Sequence, residues 1–161
     1  MTWQCFDPRH DIRKTIGTLV DYNGDNVDEY CLSFTDDVGD TRTIPILMPT
    51  EVRSETPYVM PYIETLVIST PAQSRGLNGG NRQSDCRLQY SIWYTTQDTS
   101  SCTQYGKRAA AALIDGIQTH QASTPSSYFV DVTDEGQELV EADGKQVVYH
   151  RIVEVYARQL A

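Results

Sequence analysis

The chain has 161 residues and a formal net charge of -9, from 13 Lys and Arg against 22 Asp and Glu. This length is that of one ordinary domain with a substantial core, so we expect residues 1–161 to form a single domain. The acidic balance argues against a protein that wraps a nucleic-acid backbone, since such proteins carry a clustered basic face. No apolar run of membrane-spanning length and no secretory signal are present, which predicts a protein made in a cytoplasm.

The charged residues are skewed toward one type of each sign, with 14 Asp against 8 Glu and 10 Arg against 3 Lys. An acidic surface of this kind keeps proteins solvated at high salt. The composition therefore indicates a halophilic source, with an ordinary acidic protein as the alternative.

The first third of the chain predicts a helix followed by a hairpin. Asp7 is a candidate N-cap, Pro8 takes the first helical position and Gly24 follows the end, which predicts about four helical turns. The segments "EYCLSF" and "RTIPILMP" flank the turn-rich "TDDVGDT" and predict two antiparallel strands. Pro45 and Pro49 place the second strand at an edge or in an irregular position.

The middle of the chain predicts two strands and a helix. Residues 62–70 are rich in β-branched residues and predict a well-buried strand. The segment "CRLQYSIWYTTQ" alternates, which predicts a strand with one buried face and one wet face. Ser100 or Ser101 is then expected to cap a second amphipathic helix in "CTQYGKRAAAALIDGIQTH".

The last third predicts two strands, "SYFVDVTD" and "KQVVYHRIVEVYARQL", joined through "EGQELVEADG" with its Asp-Gly turn. Because hairpins rather than crossovers join consecutive strands, the sequence predicts an α+β fold: an antiparallel sheet with two main helices packed on one face.

The glycine-rich segment at about residues 71–85 is predicted to be a flexible hairpin loop. It lacks the Gly-Lys-Ser/Thr of a P-loop and leads into a strand instead of a helix, so no helix dipole is available for a phosphate. A connection of this length is usually functional or disordered. We interpret it as a candidate assembly or lumen loop, with the residues Arg75, Gly76, Gly79, Gly80 and Arg82.

No pattern for catalysis, a cofactor or a metal is found. His10, His120 and His150 accompany no known nucleophile motif. The acidic turn "DYNGDNVDE" lacks the Gly and Glu positions of a calcium loop. The cysteines are not spaced for a zinc site, and without a secretory context they are more often small buried hydrophobes than disulfides; they are Cys5, Cys31, Cys86 and Cys102. We expect a protein that is not an enzyme and has no cofactor.

Polar residues inside two predicted strands have two interpretations. A solvent-facing row of cross-strand pairs is the simpler one. The alternative is a contact between subunits formed by long strand edges, with Tyr62, Glu64, Arg151 and Val153 as candidates.

Four segments in this order resemble the tail terminator, or tail completion, proteins of long-tailed viruses: "MPYIETLVIS", "YSIWYTT", "GKRAAAALIDGIQ" and "VVYHRIVEVYARQ". The resemblance covers about residues 58–160 and the first helix. Residues 23–55 are longer and more acidic than this family's pattern. Together with the charge skew, the resemblance points to a haloarchaeal tailed virus.

The resemblance implies a structural virion protein that closes into a hexameric ring and caps the tail tube. One face of the ring would contact the tail-tube protein and the other the neck or connector protein, while DNA passes through the lumen without specific binding. The alternatives are a head-closure or tail-tube protein and, from a different class, a small cytoplasmic enzyme or ligand-binding domain.

Overall fold

A computed structural model describes residues 9–52, 59–69, 74–75, 82–123, 128–143 and 146–160. The helices are α1 (Arg9–Ile16), α2 (Pro49–Val52), α3 (Thr96–Ser101) and α4 (Tyr105–Ser123). The strands are β1 (Thr18–Val20), β2 (Glu29–Thr35), β3 (Thr41–Leu47), β4 (Tyr62–Ser69), β5 (Ser74–Arg75), β6 (Arg82–Thr95), β7 (Tyr128–Asp143) and β8 (Gln146–Leu160). No helix in these ranges is long and apolar enough to cross a membrane.

The strands form one eight-stranded, mostly antiparallel sheet in the order β1-β2-β3-β4-β6-β8-β7, with β5 paired to β6. The β3–β4 pair is parallel and short, covering only Ile46 opposite Ile63 and Leu47 opposite Glu64. The fold is therefore a mixed α and β architecture built on a large sheet, as the sequence predicts in outline.

The core lies against one face of β6, where the predicted alternation is confirmed. From Cys86 to Tyr94, every second residue of β6 is fully buried: Cys86, Leu88, Tyr90, Ile92 and Tyr94. The small residues Ala109 and Ala110 of α4 are also buried, with Leu113 and Ile117 on the same helix. α4 contacts β2, β6, β7 and β8, and α1 contacts α4 and β2.

Gly106 allows α4 to approach the sheet closely. A Cβ atom at this position would overlap the hydroxyl and ring of the buried Tyr94. The helix can therefore begin against β6 only with a residue that lacks a side chain here.

The first helix ends earlier than predicted. It ends at Ile16, where Gly17 N donates to Arg13 O at 2.9 Å, and the next residues form β1. A Cβ at Gly17 would lie 2.8 Å from Arg13 O, so glycine permits this tight turn against β2. The predicted cap residues Asp7 and Pro8 lie outside the described residues.

The prolines of β3 predict an edge or an irregular position, and β3 is an interior strand whose pairing with β4 is irregular and leaves out Pro45. Pro45 lies opposite Cys31 of β2, and Ile46 and Leu47 pair with β4 on the other side. Because β4 pairs only with this short end of β3, no hydrogen bond to β4 is lost through the missing backbone N–H of Pro45. Pro49 begins α2.

The predicted caps of the second helix were also wrong. Ser100 and Ser101 lie inside α3, whose N-cap is Thr95. The carboxylate of Asp98 accepts from the Thr95 backbone N–H at 2.8 Å, as in a capping box. A separate short helix therefore precedes α4.

β7 runs through the segment predicted to be a loop. It pairs with β8 from Tyr128 to Asp143, with a register shift between Asp134 and Glu138. The shift accommodates extra residues without ending the strand. The Asp143 turn is confirmed, since Asp143 lies opposite Gln146.

Candidate assembly interface

The outer edge of β7 is one of the two edges of the sheet. β7 is 16 residues long, and no other strand among the described residues pairs with its outer side. An edge of this length presents a row of backbone donors and acceptors to any extended segment that approaches it. The opposite edge, β1, has only 3 residues.

Apolar side chains are exposed where the β7–β8 hairpin ends. Leu139 is 43% exposed, Val140 63% and Val147 38%. Glu138 and Glu141 on the same strand are exposed as well. A free strand edge beside exposed apolar groups is a typical surface for contact with another chain. The sequence analysis missed this surface because it interpreted "EGQELVE" as a loop, although the apolar residues Leu139 and Val140 in it are compatible with a strand.

Arg75 and Arg82 are brought together by the backbone of the glycine-rich hairpin. β5 pairs with β6 so that these two residues lie directly opposite each other. The first strand of this hairpin is described up to Arg75, and the second is described from Arg82 onward. The three glycines of the candidate loop, Gly76, Gly79 and Gly80, lie outside the described residues.

The four predicted contact residues lie on interior strands. β8 lies between β6 and β7, and β4 lies between β3 and β6, although β3 pairs only with Ile63 and Glu64 of β4. Glu64, Arg151 and Val153 are buried and Tyr62 is half-buried. A subunit contact through these four residues stays a prediction, and β7 is a long strand at the end of the sheet.

The second face of β6 is less exposed to solvent than predicted. Arg87 is exposed and pairs with Glu154 at 3.0 Å, but Ser91 is buried. The Trp93 and His150 rings stack with centroids 3.9 Å apart and planes 6° apart. Burial lowers the pKa of His150, while Glu141 acts in the opposite direction. His150 is therefore neutral and part of the packing near neutral pH.

The remaining histidines and the cysteines weighed for chemistry lie on different elements of the fold. His10 is exposed on α1, and His120 belongs to α4. Cys31, Cys86 and Cys102 are buried free thiols, as expected, whereas Cys5 lies outside the described residues. Burial, with Glu29 nearby, raises the pKa of Cys31 to about 11, so this thiol stays protonated and is a poor nucleophile.

The acidic turn that follows β1 uses its carboxylates to hold its own backbone. Asp21 accepts from the backbone N–H groups of Asp25 and Asn26 at 3.0 and 3.1 Å. Asp25 accepts in turn from Val27 N at 3.0 Å. Among the residues described, no group of three or more His, Cys, Asp or Glu could hold a metal ion.

A charged clamp fixes the β2–β3 turn to the start of α4. Asp36 accepts from Arg42 Nε at 3.0 Å and from two backbone N–H groups of its turn. Asp37 accepts from Thr103 N and pairs with Arg108, both at 2.7 Å. Despite an opposing effect of burial, hydrogen bonds from Arg42 and the turn lower the pKa of Asp36, and those from Thr103 lower the pKa of Asp37.

A pocket of about 240 Å³ lies between α1, α2 and the beginning of β2. Its lining residues are Arg13, Val27, Asp28, Glu29, Tyr30, Leu47 and Glu51. Arg13 pairs with Glu51 at 3.0 Å and lies over the Tyr30 ring, 5.3 Å from its centroid. The wall is thus partly apolar, and acidic side chains outnumber basic ones.

No model of a known protein family matches this chain, and a search of curated proteins finds no match either. The candidate interface therefore depends on the geometry of this chain alone.

Proposed function

We propose that this protein is a structural virion protein, a tail terminator that forms a hexameric ring, caps the tail tube and joins it to the neck. Its partners are further copies of itself in the ring, the tail-tube protein on one face and the neck or connector protein on the other. It is assembled in the host cytoplasm, performs no catalysis, and packs α1 and α4 as the two main helices on one face of the sheet.

The observation that carries this proposal is the free edge of β7 with its exposed apolar end. Monomeric proteins usually protect long strand edges, because an unprotected edge pairs with other chains. Leu139 and Val140 also need cover that no described part of the chain provides. A protein that works by contact with other subunits has both features.

The net charge of -9 supports a ring whose lumen lets DNA pass without binding it. An acidic surface repels the phosphate backbone, so DNA moves past it without adhering. A closed ring also needs two different contact surfaces on each subunit, because each copy must join a different face of the next. The two ends of this sheet differ, with β7 at one edge and the short β1 at the other.

Another neck or tail ring component remains the nearest alternative. A tail-tube subunit stacks on itself without limit, whereas a terminator stops at one ring. A small cytoplasmic enzyme or ligand-binding domain is the alternative from a different class, and the pocket near Arg13 is the feature that would serve it.

Electron microscopy and analytical ultracentrifugation of the purified chain, in low salt and in molar salt, test the proposal. We expect closed rings with a central opening and a single sedimenting species larger than a monomer. Long tubes would identify a tube subunit instead. A chain that stays monomeric at high protein concentration and binds a metabolite would contradict the proposed function.

A further inference from the structure

The sheet has a second open edge, formed by β1. Among the described strands, only β2 pairs with β1, through Thr18, Leu19 and Val20. Leu19 is 51% exposed, so this edge combines backbone groups that no described strand pairs with and an exposed apolar side chain. The outer edge of β7 has the same combination at Leu139 and Val140. Each subunit therefore has two edges of the same kind.

The directions of the strands allow these two edges to meet antiparallel. Along the path from β1 to β7, the β3–β4 pair is parallel and the other five pairs are antiparallel. Five reversals leave β1 and β7 running in opposite directions. A second copy placed beside the first in the same orientation therefore presents its β1 antiparallel to β7.

The faces of the two edges also agree. Leu19 lies opposite Tyr30, whose ring lies under Arg13 of α1, so Leu19 is on the face that the helices cover. Val140 lies opposite Tyr149, which packs against the core on the same face as α4. Because side chains alternate along a strand, Val20 and Leu139 project from the other face.

One register joins the apolar residues of the two edges on both faces. In an antiparallel pair, a step forward along β1 is a step back along β7. When Leu19 lies opposite Val140, Val20 therefore lies opposite Leu139. A shift by one residue would put the helices of neighbouring copies on opposite sides of the sheet, and a shift by two residues would separate both apolar pairs.

We propose that β7 of one subunit pairs antiparallel with β1 of a second copy, with Leu19 opposite Val140 and Val20 opposite Leu139. This contact rests on the proposed function and assigns the two surfaces by which the ring closes. It is heterologous, and a repeated heterologous contact makes a ring when the rotation between neighbours closes. Each subunit gives β7 to one neighbour and β1 to the other, so one sheet continues around the ring.

The charges beside the two edges favour the same arrangement. Antiparallel pairing brings the end of α1 beside the end of the β7–β8 hairpin, and these ends carry the exposed Lys14 and the exposed Glu141. At the other end of β1, Asp21 accepts from two backbone N–H groups of its own turn, and Glu138 lies opposite Arg151 of its own sheet. Opposite charges at one end therefore help to set the orientation of the neighbour.

Pairing of β7 with β7 of another copy suits the sequence less well. The strand has six acidic residues and no basic one, so self-pairing brings like charges together. With the faces matched, a two-fold contact through the apolar segment places Val140 opposite Glu138 or Leu139 opposite Glu141. It would also leave β1 of both copies uncovered.

Cysteine pairs test the register by disulfide formation under mild oxidation. One chain carries Leu19→Cys with Val140→Cys, and a second carries Val20→Cys with Leu139→Cys. Opposite positions place Cβ atoms about 4.5–5.5 Å apart, near the span of a disulfide, and the closer spacing falls at every second position, so one of the two chains has it. That chain should give a series of covalent oligomers up to the ring on a non-reducing gel.

The matched control carries Val20→Cys with Val140→Cys, which combines one residue from each face and should give no such series. The wild-type chain, oxidised in parallel, measures cross-links through the native cysteines. Leu19→Cys alone and Val140→Cys alone should stay uncrosslinked, whereas a mixture of these two single variants should give covalent dimers and nothing larger, because each chain then carries one of the two positions.

The same samples are imaged by electron microscopy. Rings in which neither cysteine pair forms a disulfide would overturn the pairing of β7 with β1 and leave the proposed function standing. Covalent dimers from Val140→Cys alone would assign the outer edge of β7 to a two-fold contact and would also overturn this pairing. A chain that stays monomeric at high protein concentration would overturn the pairing and the proposed function together.

Discussion

The β2–β3 hairpin and the β7–β8 hairpin belong to one sheet but end in different ways. The β2–β3 turn is held inside the chain by the clamp of Asp36 and Asp37 with Arg42 and Arg108. The end of the β7–β8 hairpin shows exposed Leu139, Val140 and Val147, next to a strand edge without a described partner. Both regions carry acidic residues, since Glu138 and Glu141 are exposed on β7, so charge alone does not separate the two hairpins.

The difference lies in where each hairpin finds its partners. The carboxylates of the β2–β3 turn are used by arginines and backbone N–H groups of the same chain, which makes that hairpin part of the domain. At the end of the β7–β8 hairpin, the apolar side chains of Leu139, Val140 and Val147 stay exposed instead. We infer that the first hairpin contributes to folding and that the second contributes to assembly.

The largest effect on stability is expected from Gly106→Ala. The new methyl group would displace the buried Tyr94 or lift the start of α4, to which the β2–β3 turn is fixed through Arg108. Overpacking of this kind costs about 1–3 kcal/mol of the free energy of unfolding. Chemical denaturation measures the loss.

Gly116→Ala on the same helix is the matched control. A Cβ there meets only the Ile16 side chain, at 3.1 and 3.2 Å. The better helix propensity of Ala, about 1 kcal/mol, offsets the adjustment of Ile16. Equal effects of the two substitutions would show that the close contact of Gly106 with Tyr94 is unimportant.

Val140→Lys is expected to impair assembly while changing the free energy of unfolding by less than about 0.5 kcal/mol. Lysine on an edge strand opposes pairing with another chain. Val38→Lys is the matched control, since Val38 is 79% exposed at the tip of the other hairpin. Sedimentation of both variants measures their assembly and shows which of the two hairpins takes part in it. Equal assembly of the two variants would refute the division of roles.

Acid should loosen the β2–β3 hairpin before the chain as a whole unfolds. The pKa values of Asp36 and Asp37 are lowered in the folded chain, so the unfolded chain binds these protons more readily. The stabilisation is present above about pH 3.9, the ordinary pKa of Asp, and is lost as the pH falls further. Hydrogen exchange measures it through the amides of Val38 and Asp40, which donate to Asp36. If these amides keep full protection down to the global acid transition, the clamp does not act as described.

The smallest effect on stability is expected from protonation of His150. Its lowered pKa means that stability is complete above about pH 6.5 and decreases as the pH falls below that value, because the unfolded chain takes up the proton first. His150→Phe keeps a ring on Trp93 and removes the proton site. Thermal melts from neutral to mildly acid pH should show a smaller slope for this variant. An unchanged slope would assign the pH dependence to other groups.

The sequence predicts those parts of the fold that depend on local patterns. The alternation of β6 from Cys86 to Tyr94 and the small-residue face of α4 follow from spacing alone, and both are confirmed. The Asp143 turn is equally local, since an Asp-Gly pair specifies a tight hairpin.

Features that depend on distant contacts were missed. The parallel pairing of β3 with β4 joins segments separated by α2, and no local pattern encodes it. The extension of β7 through its register shift depends on β8, which pairs with it on the inner side. The opposition of Arg75 and Arg82 likewise requires the hairpin register, although the two residues were already candidates for assembly.

The position of β8 also has a mechanical consequence. It is hydrogen-bonded to β6 along one side and to β7 along the other over most of its length. A force that pulls β8 along its own axis must shear both ladders at once, whereas a force that peels β7 away breaks one row of bonds in succession. Under load on this hairpin β7 should therefore yield before β8, and a neighbour that pairs with the outer side of β7 would reinforce it.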